Sequence, residues 1–404
     1  MKKKSRFAAF PENKELVVCL HIFIVNYKHI RALYGCQCCT EILEFIQSNI
    51  FIFGFSFLSI GQDEMVISLR SRNTEVKLLA EALLLFFSTN NFFGRYLPIM
   101  PVLSISEVVS SSVDAGSLTS IQSKSASFPT RLKPPQLTSK WRAAYEAEMN
   151  FCQRLVTALE KGGCSLNLQP VYDMSGGIFY SEALLRFSDN LCKIDTQKAI
   201  DAFERTGQIR LVDRYVVNAV IGRLKSDSMA VIACNISALS FNLDFWWESA
   251  LKDLKKYPAV ANRLVVELTE GAIIEDQAAF LKFAKALKAL GVRFALDDFG
   301  AGMPRAAAIN GFIFDYIKLD KGVIRDLRRD SIKFQMILNL VAYLKNVGAQ
   351  VVAEGIEDEG DVFIAKELGC SYMQGYHLGY PSSKNNISIK TISQNEYNAF
   401  GLCV

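Results

Sequence analysis

The chain has no uninterrupted apolar run of the roughly 20 residues that a membrane-spanning helix needs. Its most apolar short stretches, Leu16 to Val25 and Phe51 to Ile60, stop well short of that length. The basic start, Met1 to Arg6, runs into Pro11-Glu12-Asn13-Lys14-Glu15, which interrupts any signal-peptide core. Net charge is small, +4 over 404 residues, so no electrostatic footprint for nucleic acid is expected. Lys2-Lys3-Lys4 reads as a solvated tail. The ten cysteines are scattered, which is reduced cytosolic usage rather than a disulfide framework. Cys36, Cys38 and Cys39 cluster, but no second Cys/His pair follows at zinc spacing. These absences set the expectation of a soluble cytoplasmic protein with no membrane span and no nucleic-acid partner.

What is present is enough apolar residue for sizeable cores, 50% of the chain, over a length that fits two or three domains. Residues 1–103 read as a small α/β domain. Leu16 to Val25, Phe51 to Ile60 and Met65 to Leu69 suit strands, and Ile30 to Ser48 and Val76 to Phe87 suit helices. Residues 104–140 are rich in Ser, carry Pro129, Pro134 and Pro135, and lack sustained periodicity, which reads as a linker. Residues 141–404 open with a helical segment, Trp141 to Lys161. Strand candidates follow at Ser165 to Tyr172, Gly177 to Phe187, Ala230 to Ile236, Leu264 to Leu268, Val292 to Leu296, Tyr316 to Leu319, Gln350 to Ala353 and Tyr372 to Tyr376. Most are separated by amphipathic stretches. Eight such units in about 250 residues predict a (β/α)8 barrel of the TIM type.

In such a barrel the chemistry sits where strands end and βα loops begin. Those ends are polar here. They carry Glu182 and Arg186, then Asn235, Glu267 and Glu270, Asp297-Asp298, Lys318 and Asp320, Glu354 and Glu357, and Gln374. Any one acid is most simply a cap or a surface charge. Carboxylates from several strands converging on one mouth would repel each other unless cations neutralise them. The donors are oxygens, with no His or Cys among them, which suits Mg²⁺ or Mn²⁺ better than zinc. Adjacent Asp297 and Asp298 allow one carboxylate to bridge two ions, the arrangement of two-metal phosphodiester cleavage.

These residues resemble the EAL family of bacterial cyclic di-GMP phosphodiesterases. The resemblance rests on Gln169-Pro170-Val171, Glu182-Ala183-Leu184-Leu185-Arg186, Asn235-Ile236-Ser237, Glu267-Leu268-Thr269-Glu270, Asp297-Asp298-Phe299-Gly300, Lys318-Leu319-Asp320, Ala353-Glu354-Gly355-Ile356-Glu357 and Gln374-Gly375-Tyr376, in family order. A lone Glu-Ala-Leu is weak, and Glu81-Ala82-Leu83 is a decoy in a helical run. The resemblance implies a modified barrel with one antiparallel strand. It implies two Mg²⁺ or Mn²⁺ ions and hydrolysis of cyclic di-GMP to linear pGpG. By motif, Glu182, Asn235, Glu267, Asp297, Asp298 and Glu354 would ligate metal. Lys318 would hold the attacking water, and Glu354 is also a candidate general base. Arg186 would meet a phosphate, Gln169 and Pro170 would line the nucleotide pocket, and Asp320 and Gln374 would complete the substrate side. Glu270 would brace the loop after Asp298.

One departure is the run Met303-Pro304-Arg305-Ala306-Ala307-Ala308, where the family carries small polar residues in a loop that couples dimerisation to metal binding. The N-terminal region resembles a degenerate GGDEF domain, with Gly61-Gln62-Asp63-Glu64-Met65 at the signature. Phe23 and Val25 stand where two metal-binding aspartates belong, which implies no cyclase activity. The expected partners are cyclic di-GMP and a second copy of the chain through the barrel. The competing expectations are a cyclic di-GMP receptor without turnover and a protein-interaction module on the same barrel.

Overall fold

The computed structural model describes residues 16–388 except 53–54, 72–79, 85, 88–91, 94–97, 100, 110–133, 137, 190–191, 242, 244, 270–273, 275, 302–311, 313 and 328–330. The chain divides into two compact units, residues 1–127 and 128–404.

The first unit holds β1 (Leu16–Ile24), α1 (Tyr27–Ile52), β2 (Ser56–Ile60), β3 (Glu64–Ser71), a short β4 and β5 pair (Phe92–Phe93, Pro98–Ile99) and β6 (Leu103–Val109). Four strands form an antiparallel sheet in the order β2-β3-β1-β6. Its core includes Ile22, Ile24, Ile42, Ile46 and Ile67. Two sequence expectations shift here. Phe51 and Ile52 belong to α1, not to a strand. The helix continues because Ile42, Ile46 and Ile50 repeat at i, i+4 and are all buried. A strand also stands inside the span read as linker: β6 pairs with β1, Ile105 opposite Ile22. Its apolar alternation from Leu103 to Ile105 is masked in the sequence by the surrounding serines. Of the predicted helix Val76 to Phe87, only part is described, with helix at 80–84 that contains the decoy Glu81-Ala82-Leu83.

The second unit opens with α2 (Ser139–Glu160), capped by Thr138, whose side chain accepts from the Trp141 N–H. Then come β7 (Cys164–Asp173), β8 (Ile178–Asp189), β9 (Cys192–Lys193), α3 (Thr196–Thr206), α4 (Ile209–Ser226), β10 (Ile232–Asn235), α5 (Phe245–Lys256), β11 (Leu264–Thr269) and α6 (Gln277–Lys288). The chain continues through β12 (Arg293–Phe299), β13 (Tyr316–Leu319), α7 (Lys321–Asp326), α8 (Ser331–Asn346), β14 (Gln350–Ala353), α9 (Glu359–Glu367), β15 (Tyr372–Met373) and β16 (Ser382–Ser388).

Eight of these strands close a barrel in the order β7-β8-β10-β11-β12-β13-β14-β15 and back to β7. β7 runs antiparallel to both neighbours, and the other adjacent pairs are parallel. The modified barrel with one antiparallel strand is therefore the observed fold. The strand predicted over Tyr372 to Tyr376 ends at Met373. The chain turns there because Gly375 lies against Ile356, whose backbone N and O would stand 2.2 Å from an added Cβ.

The barrel interior is built in layers. One buried cluster joins Val171, Tyr180, Ala233, Val265, Ala295, Tyr316 and Val352, one residue from each of seven strands. Outside the barrel, Arg263 ties several chain ends together. Its guanidinium donates to the carbonyls of Leu224, Asp227, Ala230 and Ala259 at 2.6 to 2.9 Å. Leu224 lies in the last turn of α4, where a cation also meets the negative end of the helix. Arg263→Ala should therefore lower the unfolding free energy by about 1.5–3 kcal/mol, the range for hydrogen bonds to a charged group. Denaturant unfolding checks this, and an unchanged midpoint would contradict it.

Candidate active site

The next inward-facing position on each strand lies two residues further toward the mouth, because side chains alternate with period 2. Moving that step from the apolar layer replaces Tyr180 by Glu182, Ala233 by Asn235, Val265 by Glu267, Ala295 by Asp297, Tyr316 by Lys318 and Val352 by Glu354. On β7, which runs the other way, Val171 gives way to Gln169, and Gln374 follows Tyr372 at the end of β15. Strand register aligns these positions: Glu182 pairs with Gln169, and Asn235 with Glu267.

Lys318 is the centre of this layer. It is fully buried, and its Nζ lies 2.8 Å from Glu354, 2.9 Å from Asp297 and 3.2 Å from both Glu182 and Glu267. Amides hold Glu182 from two sides: Asn235 Nδ2 donates to Oε1 at 2.7 Å and Gln374 Nε2 to Oε2 at 2.8 Å. The amide of Asn235 thereby keeps Oδ1 available as an oxygen ligand. Asp298 departs from the pleat. Its φ of 56° is left-handed, an uncommon conformation for a residue other than glycine. The pairing of β12 with β13 shifts register between Leu296 and Phe299, so Asp298 sits where the ladder is interrupted. Gly300 follows at φ 94°, packed so closely that an added Cβ would lie 2.6 Å from a Val323 methyl.

The electrostatics follow from crowding. Burial lowers the Lys318 ammonium's affinity for its proton, but Asp297, Glu182, Glu267 and Glu354 outweigh that and hold it well above its usual range. Burial raises the Glu182 carboxyl, yet Lys318, Gln374 and Asn235 together bring it below the ordinary value. Glu267 and Glu354 go the other way. Burial, with the carboxylates around them, drives both well above the usual range. Asp298 is pushed up to about 6 by desolvation and then by Asp297.

Two overlapping groups of oxygens are close enough to share an ion: Glu182, Glu267 and Asp297, and Asp297, Asp298 and Glu354. Asp297 belongs to both. The donors fit a hard cation. Glu267 Oε1 is buried with no hydrogen-bond partner among the described residues, which leaves an oxygen for an ion to take. Five carboxylates against one ammonium leave a formal charge of −4 when all are ionised, the charge that two divalent ions would cancel.

A cavity of about 640 Å³ opens beside this layer, lined by Glu182, Arg186, Asn235, Ser237, Asp297 and Asp298. Arg186 stands four residues beyond Glu182 on β8, half-buried, with its guanidinium donating to the Leu185 carbonyl at 2.8 Å. The remaining sequence-derived residues lie at the edges. Gln169 Nε2 donates to the Gly379 carbonyl at 3.3 Å, and Pro170 packs on the same glycine. Asp320 caps α7, its side chain accepting from the Gly322 N–H at 2.7 Å. Glu357 meets Arg325. Glu270 and the run Met303 to Ala308 lie outside the described residues. Sequence reasoning passed over Glu204 and Asp213, which also line the cavity. For Asp213 the signal is an acid set among Leu211-Val212 and Tyr215-Val216-Val217, which are buried on α4 together with Arg214.

In the absence of metal, Lys318→Met should destabilise the barrel by about 3–5 kcal/mol at pH 8, because it leaves buried carboxylates uncompensated. The loss should be smaller at pH 5.5. Glu267 and Glu354 hold protons in the folded state that the unfolded chain has released, so their contribution to stability is present at low pH and falls as pH rises. The metal-free wild-type chain should therefore melt higher at pH 5.5 than at pH 8. Melting curves in EDTA at the two pH values test both statements, and the opposite order would refute the assignment.

The model of the EAL domain matches residues 153–381. The chain is 28% identical over 250 residues to the bifunctional diguanylate cyclase/cyclic di-GMP phosphodiesterase MucR of Pseudomonas aeruginosa, covering 60% of this chain and 36% of MucR. It is 28% identical over 233 residues to the cyclic di-GMP phosphodiesterase PdeF of Escherichia coli, covering 56% of this chain and 31% of PdeF. The chain thus spans about a third of the length of these curated relatives. The solved structure of the PaMucR phosphodiesterase in complex with c-di-GMP is 29% identical, with a TM-score of 0.51 over 57% of this chain and 97% of that one. A Vibrio cholerae LapD S helix-GGDEF-EAL structure, 19% identical, matches 90% of this chain and 89% of its own with a TM-score of 0.53, a likeness of fold alone. Among the described residues, no helix is long and apolar enough to cross a membrane.

Proposed function

We propose, for a chain that belongs to the EAL domain family, that it hydrolyses cyclic di-GMP to linear pGpG. The observation that carries this reading is the closed ring of Glu182, Asn235, Glu267, Asp297 and Glu354 around Lys318, with Asp298 beside it at the mouth. Two divalent cations, Mg²⁺ or Mn²⁺, would be held by Glu182, Asn235, Glu267 and Asp297 and by Asp297, Asp298 and Glu354, and when bound would supply an activated water and charge relief at the leaving oxygen.

The chain's own groups divide the remaining work. Lys318, rigid and permanently charged, orients the attacking water and stabilises charge that develops on the phosphate. Glu354, at the rim of the layer, is the candidate to take the water's proton. Arg186 presents a planar fork of donors at the cavity wall, suited to a non-bridging phosphate oxygen. Gln374 and Asn235 fix the rotamer of Glu182. Gln169, Pro170 and Asp320 would contact the nucleotide, and Glu270 would brace the loop after Asp298.

The N-terminal unit we read as a degenerate GGDEF domain without cyclase activity. In support, Gly61 to Asp63 forms the turn between β2 and β3, and Phe23, on β1, pairs with Glu64 at the start of β3. Neither Phe23 nor Val25 offers a carboxylate to a nucleotide-bound ion. A homodimer through the barrel is the reading supported by an exposed apolar ridge on α8, where Ile332, Met336 and Tyr343 are 74%, 65% and 62% exposed.

Purified protein incubated with cyclic di-GMP and Mg²⁺ or Mn²⁺ should yield pGpG, and Glu182→Ala should abolish turnover while leaving the fold intact by circular dichroism. A folded wild-type protein that binds the dinucleotide without cleaving it would favour the receptor reading. No binding would sink both.

A further inference from the structure

Two buried acids outside the metal layer converge on one short loop. Glu204, in α3, and Asp213, in α4, are 9% and 4% exposed. Both reach the segment that leaves β10. The Ser237 hydroxyl donates to Glu204 Oε1 at 2.7 Å, and the Ser237 backbone N–H donates to Asp213 Oδ2 at 3.1 Å. The Ser240 hydroxyl donates to the same Asp213 oxygen. Ser237 Oγ also accepts from the Leu239 N–H at 3.3 Å, capping the 3-10 turn Ala238–Ser240, and Trp247 Nε1 donates to the Ser240 carbonyl at 2.9 Å.

This loop begins directly after Asn235. The adjoining Ile236 N–H is bonded to the Glu267 carbonyl at 3.0 Å, so the loop also touches the strand of a second ligand. Satisfying two serines does not require two buried carboxylates, since amide oxygens accept the same bonds without the cost of desolvating a charge. That cost is visible at Asp213, whose carboxyl burial pushes up to about 7 against the pull of Ser240 and Ser237. What a carboxylate adds is charge-assisted acceptance, shorter and stronger than a neutral bond, at the base of a loop that must not rotate.

We propose that Glu204 and Asp213 are positioning residues that hold Asn235 in its ligating orientation through Ser237, an inference that rests on the metal-site reading above. Glu204 works through the Ser237 hydroxyl, and Asp213 through the loop backbone and Ser240. Together they lock the rotation of the loop about β10. Asn235 Nδ2 then stays on Glu182, and Oδ1 stays turned to the site.

The test is Mn²⁺ binding without substrate, measured by calorimetry and by the electron paramagnetic resonance signal of free ion. Glu204→Ala, Asp213→Ala and Ser237→Ala should each weaken Mn²⁺ binding by about 10–100-fold, the usual loss when a group behind a metal ligand is removed. Glu204→Gln and Asp213→Asn keep an acceptor oxygen but lose the charge, and should weaken Mn²⁺ binding measurably but less than the alanine variants do. In an Asn235→Ala background, adding Glu204→Ala should cause no further loss, since the brace acts through the missing side chain. Ser237→Ala removes one oxygen and keeps the test decisive if an alanine at a buried acid unfolds the barrel. Wild-type Mn²⁺ affinity in folded Ser237→Ala, or full additivity with Asn235→Ala, would overturn the inference and leave the metal site standing. A wild-type chain that binds no Mn²⁺ would overturn the metal reading itself, and the brace with it.

Discussion

A buried lysine within 3.2 Å of four carboxylates is the constraint around which the barrel is arranged. Removing such charges from water costs several kcal/mol per ion even after relaxation. Only mutual pairing makes the arrangement tolerable, and pairing demands position. Lys318 must come from β13, Glu267 from β11 and Glu182 from β8, across a closed ring of strands. A slip of one residue in any of them would turn a charge into the barrel wall and an apolar side chain into the site. The polar layer therefore enforces the register of the barrel that holds it.

That layer is affordable because of the one beneath it. Tyr180, Ala233, Val265, Ala295, Tyr316 and Val352 form a dry floor one pleat below Glu182, Asn235, Glu267, Asp297, Lys318 and Glu354. The floor supplies the apolar burial that stabilises the barrel. It also keeps water from entering behind the carboxylates, which strengthens every charge interaction above it. The large side chains in it, Tyr180 and Tyr316, pack with ring planes tilted and centroids 5.6 Å apart, beside the alanines on β10 and β12. Ala233 and Ala295 are thus the small partners in an interior of alternating sizes.

Much of this was legible in the sequence, for a physical reason. Barrel strands buried on both faces read as short apolar runs, and Tyr316–Leu319 and Gln350–Ala353 have the bounds that pattern predicts. Asp297-Asp298 stands out because two acids end such a run. Other features are silent in composition. β6 was hidden by its serines, since its partner β1 lies far away in sequence and supplies the pairing. The left-handed backbone of Asp298 has no signature before it, and only Gly300 after it hints at a turn. The helical acids were missed because local context weighs an acid in a helix as a solvent-facing charge. Glu204 and Asp213 are buried only because α3 and α4 pack over the loop after β10, a tertiary fact.

The two sets of buried acids follow opposite logic. In the layer around Lys318, Glu267 and Glu354 are held well above the carboxylate range, so without a cation the layer carries less negative charge than its formal count. Ion binding must expel those protons, so affinity should rise with pH. Asp213, by contrast, faces serines and a backbone N–H, and its position is met by donors already within the fold. On the reading proposed above, the first set takes its partners from outside the fold, whereas the second is met by donors inside it. The second set, reaching in from the outer helices, ties the ligand ring to the helical shell. The tie is made at Ser237, two residues beyond Asn235 on the same segment.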